Sequence, residues 1–137
     1  MWTGKDFIIT DFEGEPLRSF SERRIKRSPL LDLAGMIRSF HYAIYTTYYN
    51  YEFSQIKERR IETWVEYYYR LMSRFYINSY LSVVEKEKFI PAQRKDFELL
   101  LRTFLLEKAI YELKYDLEKR PDWAVAPLLG IKYLVGR

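Results

Sequence analysis

The chain has 137 residues, of which 48% are hydrophobic, and carries a net charge of +4 from 23 Lys and Arg against 19 Asp and Glu. That length allows at most one domain with room for a real core, and the hydrophobic share argues against disorder. With no cysteine, disulfides, thiolate zinc sites and cysteine nucleophiles are excluded together, as suits a reducing compartment.

At the start, Asp6 and Asp11 interrupt any apolar region a signal peptide would need. No stretch approaches the roughly 18 apolar residues of a membrane span; the nearest, "WAVAPLLGIKYLVG", contains Pro127 and Lys132. The expectation is a soluble, cytoplasmic protein with no membrane partner.

Residues 6–12, "DFIITDF", read as a short strand preceded by a turn at "TGK", residues 3–5. Only Met1 and Trp2 remain to pair across that turn, too few to hold a strand. Its unpaired edge is open to a second copy of the chain, which makes a homodimer through that edge an expectation. The strand aims Asp11 and Glu13 from its end, because Gly14 and Pro16 stop it. An Asp after an apolar strand is how kinase-like enzymes hold magnesium against phosphates; a solvated turn is the structural alternative.

Residues 13–28 read as loop. Within it "RSFSERRIKR" sets Arg18, Arg23, Arg24, Lys26 and Arg27 against one acid, Glu22. Such a run suits a nucleic-acid patch or a solvated loop. No RNA-binding motif or helix-turn-helix accompanies it, so nucleic acid is not the expected partner.

Helices fill the rest, giving a mainly α domain. Ser28 and Pro29 suit the N-cap and first position of a helix along which Leu33, Ile37, Phe40 and Ile44 recur at helical spacing. A second helix begins near Ser54 and carries the most regular apolar stripe, Ile61, Trp64, Val65, Tyr68, Leu71, Met72, Phe75 and Tyr76. Whether it runs on to Lys88 or breaks near Asn78 is open. After "FIPAQ" a third helix covers 93–119, lined by Phe97, Leu100, Leu101, Phe104 and Leu113. Pro121 ends it, and a short helix follows Asp122 despite Pro127 and Gly130.

Three stretches, "ITDFEGEP", "ERRIKRSPLLDLAGMIRSFHYA" and "LLRTFLLEKAIYELKYDLEKRPDWAVAPLLGI", resemble in order the C-terminal part of bacterial maltokinases, which occur alone or fused behind a trehalose synthase domain. The likeness covers nearly the whole chain, most weakly from Thr46 to Glu87. It implies the helical C-terminal lobe of an aminoglycoside-phosphotransferase-like kinase fold, lacking the catalytic loop and the nucleotide-binding lobe. The parent enzyme would then use ATP and magnesium to make maltose 1-phosphate, while this piece alone would be inactive and bind no cofactor. A stand-alone helical interaction module without catalysis is the alternative.

The resemblance assigns Asp11, followed by Glu13, to the metal. In "LEKAIYELKY", Lys108, Tyr111 and Tyr115 share a helix face with Glu112 beside them, and the resemblance implies that this face lines the maltose site; tyrosines packed with exposed tips are the bland reading. Arg23, Arg24 and Lys26 are candidates to neutralise nucleotide phosphate or to brace the missing loop. Asp32 suits either a family position or the positive end of its helix. His41, the only histidine, is expected to pack rather than catalyse.

Overall fold

The computed structural model describes residues 1–8, 10, 14–50, 59–84 and 87–136. In chain order these form α1 (Phe20–Arg23), α2 (Leu30–Asn50), α3 (Arg59–Val84), α4 (Arg94–Lys119), a 3-10 turn (Pro121–Trp123) and α5 (Val125–Val135). The molecule is mainly helical, as its periodicity implies.

The strand expected over 6–12 does not form among the described residues. Trp2 and Phe7 make one antiparallel bridge, closed by Ile8 N–H donating to the Met1 carbonyl at 2.9 Å and the Met1 amine donating to the Ile8 carbonyl at 2.8 Å. Gly4, at φ +95°, takes the chain round between them. The turn at 3–5 is therefore present, and the pairing across it is this single bridge.

Inside the expected loop, α1 is set by a capping box. Ser19 Oγ accepts the Glu22 N–H, and Glu22 reaches back to the Ser19 N–H at 2.9 Å. The Ser19 hydroxyl, donating to Glu22 Oε2 at 2.7 Å, and the Ser19 N–H together hold the Glu22 carboxyl below its ordinary range. At Ser28 the expected cap is in place, with Oγ accepting from Leu30 N–H at 3.3 Å.

One stripe of α2, Leu30, Leu33, Ala34 and Ile37, is fully buried against Phe97, Leu101 and Leu105 of α4 and Leu134 of α5. Each of the large aliphatic side chains here contributes about 1.5–3 kcal/mol by leaving water. α2 lies at the centre, packed on α3, α4 and α5, while α4 also packs along α5. Pro127 causes no break because it sits in the first turn of α5, where backbone N–H groups have no intrahelical acceptor.

α3 runs unbroken through Asn78 to Val84; its expected start near Ser54 lies outside the described residues. The apolar stripe expected on α3 is mostly not its core face: Trp64, Tyr68, Leu71 and Phe75 face outward, and of the residues named for it Tyr76 packs on the core. The core side is Tyr69 and, less completely, Ile77, Tyr80 and Leu81, which that stripe left out.

Candidate functional site

A polar seam lies where α2 meets α4. Glu112 and Asp116, four residues apart, occupy one face of α4 and turn towards α2. Arg38 is 1% exposed, and its Nε and Nη2 donate to Glu112 Oε2 at 3.0 and 2.6 Å. The guanidinium lies against Gly130 of α5, where a Cβ would stand 2.0 Å from Nη1. A side chain at Gly130 would have to displace this guanidinium.

One turn on, Tyr42 Oη donates to Asp116 Oδ2 at 2.7 Å and Arg120 Nε donates to Asp116 Oδ1 at 2.7 Å. The Arg120 guanidinium stands 4.9 to 5.4 Å from the ring centres of Tyr42, Tyr115 and Trp123, a three-sided cation–π arrangement. Burial, then the hydrogen bond to Asp116, push the Tyr42 phenol above its ordinary range. Tyr42 is a fixed proton donor to a buried carboxylate.

His41 packs beside this seam, stacked on Tyr45 at 4.2 Å between ring centres and edge-on to Tyr69. Neither ring nitrogen has a hydrogen-bond partner among the described residues. Burial, then the nearby charge of Arg38, lower its pKa to about 3, so the imidazole is neutral. Burial likewise pushes Tyr45 up to about 12.

The expected sugar face of α4 is engaged by its own chain. Lys108 pairs with Glu15 and lies over the Tyr111 ring, and Tyr111 Oη accepts the Leu17 N–H at 3.0 Å. Tyr115 holds Arg120 instead. The structure therefore separates Tyr115 from Lys108 and Tyr111 by partner, although all three share the helix.

The basic loop is mostly tied down as well. Arg18 and Arg27 both reach Glu107. Arg23 donates to the carbonyls of Arg18 at 2.9 Å and Pro16 at 3.0 Å, and sits over the Phe20 ring. Its stem packs against Gly14, which adopts φ +81°. Arg24 and Lys26 are exposed, with no side-chain partner among the described residues. Asp32 is exposed in the first turn of α2.

Asp11 and Glu13 lie outside the described residues. Among the described ones no group of three His, Asp or Glu side chains could hold a metal ion, and no helix is long and apolar enough to cross a membrane. Arg38, Asp116 and Arg120 are seam residues that the sequence does not single out. The Asp116–Arg120 spacing of i, i+4 was a usable signal; the Arg38–Glu112 pair, 74 residues apart, left none. No protein-family model matches the chain, and no solved structure matches it.

Proposed function

We propose that the chain is the helical C-terminal lobe of an ATP-dependent maltokinase-like enzyme that forms maltose 1-phosphate. The observation that carries this reading is the resemblance of three stretches, supported by how two of them meet. Block 22–43 supplies Arg38, His41 and Tyr42; block 100–131 supplies Glu112, Asp116, Arg120 and Gly130. The seam joins these two blocks.

Phosphoryl transfer is chiefly positioning and charge neutralisation. Asp11, with Glu13 beside it, would hold magnesium, since carboxylate oxygens suit a hard cation. Lys108 and Tyr111 hold Glu15 and Leu17, which follow those carboxylates in sequence. Arg24 and Lys26 are the exposed cations available to phosphate. Lys108, Tyr111 and Tyr115 would contribute to the sugar side alongside the contacts to Glu15, Leu17 and Arg120 that they make here.

The test is an assay with ATP, magnesium and maltose on this chain and on the product of its reading frame extended upstream. The chain alone is expected to be inert and the extended product active, with Asp11→Asn removing most of that activity. Tyr111→Ala or Tyr115→Ala should raise the Michaelis constant for maltose more than for ATP. An active isolated chain, or an extended product without kinase activity, would overturn the reading. An interaction module without catalysis is the second reading, favoured by the exposed aromatic face of α3.

A further inference from the structure

The outward face of α3 carries Trp64, Tyr67, Tyr68, Leu71 and Phe75, between 49% and 70% exposed. Trp64, Tyr68, Leu71 and Phe75 advance by four, three and four residues, the spacing of a seam between two paired helices. We propose that two copies of this chain associate through this face, α3 against α3, antiparallel about a two-fold axis between Tyr68 and Leu71.

Area supports a second copy as the occupant. A whole aromatic side chain carries about 200 Å², so the four rings leave on the order of 500 Å² uncovered. Two such faces together bury on the order of 1,000 Å² before Leu71 is counted, the area at which a biological interface begins. The face is also self-complementary. Antiparallel pairing sets Trp64 against Phe75 of the second copy and Tyr68 against its Leu71, so every seam position meets an apolar one.

Charge decides the direction. Arg74 is exposed and has no partner among the described residues, whereas Arg70, on the same helix, is held by Glu66 and the Tyr133 ring. Parallel helices would set Arg74 beside its own copy. Antiparallel helices carry it to the Trp64 end of the other chain, where a ring face accepts a cation.

Light scattering on the full chain at tens of micromolar should give the dimer mass. Leu71→Glu, a surface change expected to leave helicity by circular dichroism intact, should weaken association at least tenfold. The chain has no cysteine, so Ser82→Cys carries a single spin label. Antiparallel pairing places the two labels about 25 residues of helix apart, roughly 37 Å along the axis, against about 10 Å for parallel helices. A monomer, a dimer indifferent to Leu71→Glu, a short label distance, or a dimer lost on deleting residues 1–12 would each overturn the proposal. None of these readouts depends on kinase activity.

Discussion

An imidazole buried with neither nitrogen bonded loses its water without compensation, and charging it there costs more. Among the described residues His41 is in that state, between Tyr45 and Tyr69, with the charge of Arg38 nearby. Its folded pKa of about 3 lies below its ordinary 6.5, so the unfolded chain takes up the proton first. The sign follows: this group leaves stability unchanged above pH 6.5 and removes it as pH falls from 6.5 towards 3. The slope approaches about 1.4 kcal/mol per pH unit. His41→Phe keeps the ring stack and deletes the titration. Urea unfolding at pH 7 and pH 4 should show the parent losing about 3 kcal/mol more than the variant; equal losses would mean that His41 does not titrate on unfolding.

At the scale of elements, two helix-interior glycines make opposite predictions. A methyl group added at Gly35 in α2 would have nothing within 4 Å, so Gly35→Ala should stabilise by about 0.5–1 kcal/mol through lower unfolded-state entropy and better helix propensity. Gly130 in α5 faces the Arg38 guanidinium, which is buried and held by Glu112, so making room for a Cβ disturbs that pair. Gly130→Ala should destabilise by about 1–3 kcal/mol, partly by prising apart a buried ion pair. Thermal unfolding of both variants checks the contrast. A neutral Gly130→Ala would show that Arg38 can rearrange without loss.

Across the whole molecule, residues 15–18 are tied to α4. Leu17 reaches Tyr111, Arg18 reaches Glu107 and Glu15 reaches Lys108, contacts spanning 89 to 94 residues of sequence. The ion pairs are partly exposed and weak individually, which leaves the Tyr111–Leu17 hydrogen bond as the most specific tie. Tyr111→Phe should speed hydrogen exchange at the Leu17 amide about fivefold, the effect of losing about 1 kcal/mol, with the core helices unchanged. Unaltered exchange at Leu17 would move the anchoring role to the ion pairs.

The sequence by itself determined what is local. Periodic apolar residues and the Ser28–Pro29 start placed the long helices, and Pro121 placed the end of α4 at Lys119, because capping and proline geometry act within one turn. The short α1 was also readable, since Ser19 and Glu22 form a capping box, although the basic run around it reads as loop. Which face of α3 turns inward was not readable. That helix carries aromatic residues on several sides, and periodicity names an apolar face without naming its partner. Nor could sequence show that Lys108 and Tyr111 grip residues 15–17, or that Gly130 makes room for Arg38. Those contacts join residues far apart in the chain, and only the packing of α2, α4 and α5 brings them within bonding distance.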